Sequence, residues 1–287
     1  MRTESTFQLS ESQIQEFYKE GLLRIDFSFD HVLLDKIIEK TLPLYDQGML
    51  KKKLPGLRLQ DGWKQIEEIR QLAMNSSVLA ALEQLFGRKA RPFQTLNFPI
   101  GTEQLAHSDT LHFNSVPKGF MVGVWIALEN IDKDNGPIFY YPESHKLREY
   151  NMRSFRLGRG HDFYPQYEQA IQKIISKKKL TSSLGEIQKG HAIIWHANLL
   201  HGGSAQKDMS RTRHSQVTHC YFENCKYYTP LYSRFPFKQY REPIWIPESP
   251  DYVLPEQAYL PPTRWPLRLR RNILSKIKKM QSFGKNT

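Results

Sequence analysis

Apolar and polar positions repeat with two different periods along this chain. Near the N-terminus the period is helical. Ser10-Glu11-Ser12-Gln13 has the spacing of a capping box, in which the serine hydroxyl satisfies one free helix N–H and Gln13 reaches back to another. The helix is expected to run to about Glu20 and to end at Gly21, a left-handed cap. Leu22 to Phe27 alternates as a short strand would. A second helix is expected from the Asp30 cap, with Leu33, Leu34, Ile37 and Ile38 on one face, and a third after Ser76, stopping at Gly87. The first 90 residues therefore read as helical, with one or two strands.

The period then shortens. Phe93–Phe98, Phe120–Leu128, His191–Trp195 and Gln216–Phe222 are short, β-branched or aromatic runs separated by Gly, Pro and Asn. Strands of this kind predict a mainly β fold, a jelly roll or antiparallel barrel flanked by the N-terminal helices. Lys146 to Leu180 interrupts them as a polar, lid-like insertion with one amphipathic helix carrying Tyr167, Ile171, Ile174 and Ile175. Pro230 to Pro266 is rich in proline and aromatics and reads as extended chain over the surface. The expected organisation is a domain over residues 1–230 (helical to 90, jelly roll 91–230, insertion about 146–180), then a proline-rich wrap and basic tail over 231–287.

Composition narrows the class. Hydrophobic residues make up 39% of the 287, with 12% aromatic, enough for a sizeable core. No run approaches the length of a membrane span, and MRTESTFQLSESQ lacks an apolar signal region, so a cytoplasmic protein is expected. Cys220 and Cys225 are too few for a disulfide framework and read as reduced thiols. The net charge of +12 is mostly terminal: residues 264–287 carry eight basic side chains and no acid, leaving +4 for the rest. Trp265 to Met280 reads as a basic amphipathic helix suited to weak contact with an anionic membrane, and a nucleic-acid partner is not expected. Oligomeric state is not legible.

The chemistry lies in a few positions. A lone histidine is usually structural, so company decides among the ten. His107-Ser108-Asp109 places an imidazole and a carboxylate at i and i+2, which on a strand share one face. With one distant histidine they would form a facial triad leaving three open positions on iron. The stretch from Trp195 through His196 to His201-Gly202-Gly203 supplies that histidine next to glycines that allow close backbone approach. Twelve residues beyond His201, Arg213-His214-Ser215 again puts two side chains on one face. A buried guanidinium suits a carboxylate, either a structural acid or the distal carboxylate of a bound 2-oxo acid, with Ser215 as an additional donor.

These residues, with Gly21-Leu22-Leu23, Val122–Leu128 and above all Asn135-Gly136-Pro137 through Pro142-Glu143-Ser144-His145, make the chain resemble the phytanoyl-CoA dioxygenase family of iron(II)/2-oxoglutarate oxygenases over roughly Leu9 to Phe222. Glu143 stands where glycine is commoner in that family. The resemblance implies iron(II) held by His107, Asp109 and His201, with His201 rather than His196 as the distal ligand. It implies 2-oxoglutarate held by Arg213, with Arg211 as the competing alignment, beside an aromatic at Trp125 and with Gln94 or Asn97 as further contacts; His145 is expected either to support the residues around the metal or to be structural. It further implies consumption of dioxygen and hydroxylation of an aliphatic C–H in a small molecule or acyl-type metabolite, with release of succinate and CO2. Asp109 argues against halogenation, since the halogenating relatives lack the carboxylate. Desaturation or ring formation by the same type of oxygenase, or a cupin-like isomerase or sensor without oxygenase chemistry, are the alternatives.

Overall fold

The protein is described from a computed structural model, which covers residues 7–53 and 56–249. The basic segment 264–287, its expected helix and most of the proline-rich stretch lie outside the described residues. The described residues up to Glu248 fall within one compact unit, which carries every element below.

The N-terminal elements follow their local signals. Helix α1 (Glu11–Glu20) starts on the reciprocal Ser10–Gln13 capping box and stops at Gly21, whose φ of 79° is the left-handed cap. Strand β1 (Leu22–Asp26) leads to α2 (His31–Thr41), capped by Asp30, which buries Leu34 and Ile37. Two short helices that the periodicity did not indicate follow: α3 (Gln47–Lys51) and, after β2 (Leu59–Gln60), α4 (Glu67–Ala73). They are too short for two full turns of apolar repeat. Helix α5 (Ser76–Phe86) ends at Gly87.

The remaining strands are β3 (Ala90–Phe98), β4 (Asn114–Val116), β5 (Met121–Ala127), β6 (Ile138–Tyr140), β7 (Ser183–Gly185), β8 (His191–His196), β9 (His201–Gly203), β10 (Ser215–Phe222) and β11 (Lys226–Tyr228). Helix α6 (Tyr164–Lys178) lies in the insertion between β6 and β7. The larger sheet has the order β1-β8-β5-β10-β3-β2 and the smaller β7-β6-β9, both antiparallel throughout. These two sheets make the jelly roll.

Strand parity sorts side chains into two layers. One face of the larger sheet presents Phe98, Trp125, Ile193, Trp195 and Val217, which pack with Ile138 and Tyr140 of the smaller sheet. Truncating one of these aromatics to alanine costs about 3–5 kcal/mol. The opposite face is covered by the N-terminal helices, and Gln216 there donates to the Ile69 carbonyl of α4 at 3.1 Å. With both faces covered, β5 and β10 are buried at every position. Their sequences therefore lack the alternation of a half-exposed strand.

Candidate metal centre

His107 and His201 are set by each other. They form an antiparallel bridge in which each N–H donates to the other's carbonyl at 3.0 Å, so their side chains leave the backbone on one side. The expectation that His107-x-Asp109 lies on a strand needs correction. Ser108 alone is extended (φ −120°, ψ 133°), and Asp109 opens a 3-10 turn, Asp109–Leu111, capped by the Ser108 hydroxyl. One extended residue between them suffices to return Asp109 to the side of His107. Strand β9 then runs into Gly202 and Gly203 because a Cβ at Gly202 would lie 2.4 Å from the Gln104 carbonyl, and one at Gly203 2.9 Å from the Glu103 N–H nitrogen.

Asp109 Oδ1 lies 3.8 Å from His107 Nε2 and 3.9 Å from His201 Nε2. Among the described residues this is the one cluster of three His, Cys, Asp or Glu donors able to hold a metal ion, its atoms all within 4.8 Å. His107 Nδ1 is 3.0 Å from the Leu105 carbonyl and His201 Nδ1 3.0 Å from the Leu199 carbonyl. A carbonyl only accepts, so each Nδ1 carries the proton and each Nε2 lone pair faces Asp109. Burial, reinforced by His201, pushes His107 down to about 3. Burial alone would raise Asp109, but His201, His219 and His107 together with a Trp195 hydrogen bond hold it at about 2. Two imidazole nitrogens and one carboxylate oxygen, the donors of a facial triad, fit a divalent first-row metal such as iron(II).

These donors line a cavity of about 90 Å³ that also contains Arg213, Trp125, Phe98, Gln104 and His219. Arg213 is 2% exposed. Its Nη1 donates to Ser215 Oγ at 2.7 Å, while its Nε finds no acceptor. Phe98 and Trp125 each stand with their ring centroid 5.6 Å from the guanidinium carbon, and the Trp125 indole N–H also lacks a partner. Burial pushes Arg213 down to about 10, still charged at neutral pH. Among the described residues no carboxylate lies within ion-pair distance of it. The neighbouring Glu129 is engaged by the His214 N–H and by Thr212 Oγ1. Arg211 differs, since its Nη1 bonds both carboxylate oxygens of Asp132 at 2.9 and 2.8 Å.

The other candidates separate by parity. Gln94 shares the inner face of β3 with Leu96 and Phe98, where its Oε1 is 2.9 Å from His219 Nδ1. Asn97 points the other way and donates to Gln216 Oε1 at 3.1 Å in the helix-covered layer, so its side chain faces away from the cavity. His196 ends β8 with Nδ1 accepting from the Asn198 N–H, and His145 bonds the Tyr18 carbonyl at 3.1 Å; neither lines the cavity. Asn135 is a latch: its amide donates to the Asn130 and Thr212 carbonyls, tying the loop before β6 to the segment that leads into Arg213.

Two residues at the centre were given no role there by the sequence. Trp195 Nε1 donates to Asp109 Oδ2 at 2.8 Å, and His219 Nε2 lies 3.8 Å from the same oxygen. Both sit on inner-face positions, His219 six residues beyond Arg213, so parity was the available signal.

A jelly roll holding a His-Asp-His cluster and an unpaired buried arginine in one cavity defines the class of non-haem iron, 2-oxoglutarate-dependent oxygenases. Residues 59–214 match the phytanoyl-CoA dioxygenase (PhyH) family, and the chain belongs to it. A phytanoyl-CoA dioxygenase domain-containing protein 1 homolog of Caenorhabditis briggsae is 23% identical over 230 residues, 75% of this chain and 73% of that one. Among solved structures, EctD from S. alaskensis with 2-oxoglutarate and 5-hydroxyectoine superposes with a TM-score of 0.61 at 15% identity, over 82% of this chain and 84% of that one. The carbocyclase SnoK from nogalamycin biosynthesis does so at 0.58 and 16% identity, over 77% and 87%. At these identities the structures speak to the fold.

Proposed function

We propose that this member of the family is an iron(II)/2-oxoglutarate-dependent dioxygenase that hydroxylates an aliphatic C–H of a small molecule or acyl-type metabolite. His107, Asp109 and His201 hold the iron in this reading, and Arg213 holds the distal carboxylate of 2-oxoglutarate. The observation that carries it is the Arg213 guanidinium: buried, charged, without an acidic partner, in the same cavity as the three metal donors. An unpaired buried charge is costly, and a carboxylate ligand removes that cost.

When bound, iron(II) with 2-oxoglutarate and dioxygen supplies oxidation of a C–H bond coupled to release of succinate and CO2. The chain's own work is positional. The Leu105 and Leu199 carbonyls fix both histidine tautomers. Ser215 orients Arg213, and Trp125, whose indole N–H has no partner, lines the same cavity. Phe98, Ile138 and Val217 keep its walls apolar, which limits water around the reacting groups.

A succinate-release assay against a panel of acyl-CoA esters, free acids and small natural-product intermediates tests the reading, with Asp109→Ala as control. Substrate-dependent succinate from the wild type alone, with one oxygen atom gained by the product, is the expected result. A product lacking two hydrogens would assign desaturation or ring formation instead. Equal release by the variant would remove Asp109 from the metal site.

A further inference from the structure

We infer that Trp195 is a positioning residue that restricts Asp109 to a single metal-facing oxygen. This rests on His107, Asp109 and His201 being the metal ligands. The two carboxylate oxygens have different surroundings. Oδ1 faces both Nε2 atoms at 3.8 and 3.9 Å. Oδ2 accepts from the Trp195 indole at 2.8 Å, and His219 Nε2 stands beyond hydrogen-bond distance from it at 3.8 Å. The indole is itself held from two sides. Its ring packs on His201 with centroids 4.7 Å apart. On the neighbouring strand, Gly123 leaves the space it occupies, since a Cβ there would lie 2.4 Å from Trp195 Cε2 and 2.6 Å from Nε1. A carboxylate with one oxygen tied to a fixed donor offers the other as a monodentate ligand, and the positions a facial triad leaves open stay open. Without the N–H, Oδ2 is free to turn onto the ion and close one of them.

The readout is the count of exchangeable waters on bound manganese(II), measured by water-proton relaxation without any turnover. In Trp195→Phe, which keeps a ring against His201 but removes the donor, relaxation per bound ion should fall by about one third, one of the three open positions. Gly123→Ala, which displaces the indole, should do the same and serves if the phenylalanine variant does not fold. Unchanged relaxation in the folded variants overturns the inference while leaving the ligands in place. A wild type that binds manganese no better than Asp109→Ala overturns the ligand assignment, and the inference with it.

A second surface is carried by a separate observation. Beyond β11 the chain turns back as a hairpin, with Thr229 N–H to the Gln239 carbonyl, Arg241 N–H to the Tyr227 carbonyl and a bridge between Arg234 and Phe237 at its tip. That tip exposes Phe235 and Phe237 to 69% and 74%. Arg153 stacks 3.6 Å over the Phe235 ring, and the exposed Arg234 and Lys238 flank the tip with no acid between residues 226 and 241. An apolar tip in a positive rim complements an anionic lipid surface, and we propose that as its partner. The hairpin base lies beside the metal centre: the Gly160 N–H bonds the Leu231 carbonyl, and Tyr232 meets His161, which stacks on His112.

Co-sedimentation of the full chain with phosphatidylcholine vesicles, with and without phosphatidylserine, tests this against a Phe235→Ser/Phe237→Ser variant. Binding that requires phosphatidylserine, and drops about tenfold in the variant, is the expected result. Binding equal in the two proteins, no binding, or a variant altered only in self-association by sedimentation velocity would overturn it.

Discussion

Replacing Arg213 with methionine should weaken 2-oxoglutarate binding sharply without destabilising the ligand-free protein. Burial lowers the guanidinium from 12.5 to about 10. That gap corresponds to about 3 kcal/mol of penalty on the charged form. At neutral pH both folded and unfolded chains carry the proton, so the penalty acts in full; it disappears only as the pH rises from the folded value towards 12.5. Methionine fills similar space without charge. Against the gain stands Ser215, which loses its partner at a cost of about 1–3 kcal/mol. The ligand-free variant should therefore be as stable as wild type, within about 2 kcal/mol. Binding changes differently, because truncating one partner of a buried charge pair costs about 2–5 kcal/mol. The Kd for 2-oxoglutarate, measured calorimetrically and anaerobically on manganese-loaded protein, should rise at least about 30-fold. 2-Oxoglutarate at about 100 times the wild-type Kd should stabilise the wild type by about 2.7 kcal/mol and the variant by less than about 1 kcal/mol. A variant that binds within about threefold of wild type would refute the placement of the carboxylate at Arg213, since a lost buried pair cannot cost so little.

Three further outcomes are expected. His201→Ala should lose tight manganese(II) binding while His196→Ala keeps it, read by equilibrium dialysis; the reverse would reassign the distal ligand. Gly202→Ala should lower the thermal midpoint of the metal-free protein and yield little folded material, because its Cβ would meet the Gln104 carbonyl at 2.4 Å; wild-type stability would show that this loop yields easily. Finally, His107, His112, His196, His214 and His219 are all pushed by burial below 6.5, to about 3 or about 4. Their contribution to metal-free stability is complete above pH 6.5 and is lost as pH falls towards those values, at up to about 1.4 kcal/mol per unit per group. Urea midpoints should drop steeply between pH 7 and pH 5, and a flat profile would contradict the neutral, buried state of these rings.

Much of the fold, and the grouping of the candidate metal donors, was legible because the signals are short-range. The Ser10 box, the Gly21 and Gly87 stops and the Asp30 cap are written within four residues of where they act. His107-x-Asp109 needed only one extended residue between them, and Ser108 supplies it even though the strand ends there. Asn97 was misplaced because its company was read without its parity. Gln94 and Asn97 are three apart and so lie on opposite faces of β3, as their partners His219 and Gln216 make plain. Applying the same parity along β10 would have drawn His219 into the cavity from Arg213 and Ser215.

The sequence by itself determined the longer capped helices and main strands, the sheet-rich class and the residue types able to hold a metal and a 2-oxo acid, because caps, periods and donor chemistry are properties of neighbours along the chain. Only the tertiary structure decided which arginine is free: Arg211 and Arg213 are two residues apart, and Asp132, contributed by a distant loop, engages the first and not the second. Only it brought Trp195 against Asp109, since that contact spans 86 residues and depends on the absent side chain of Gly123 on the adjacent strand. Hydrogen bonds across a folded cavity are set by sheet register, and register is a property of paired strands that neither strand carries alone.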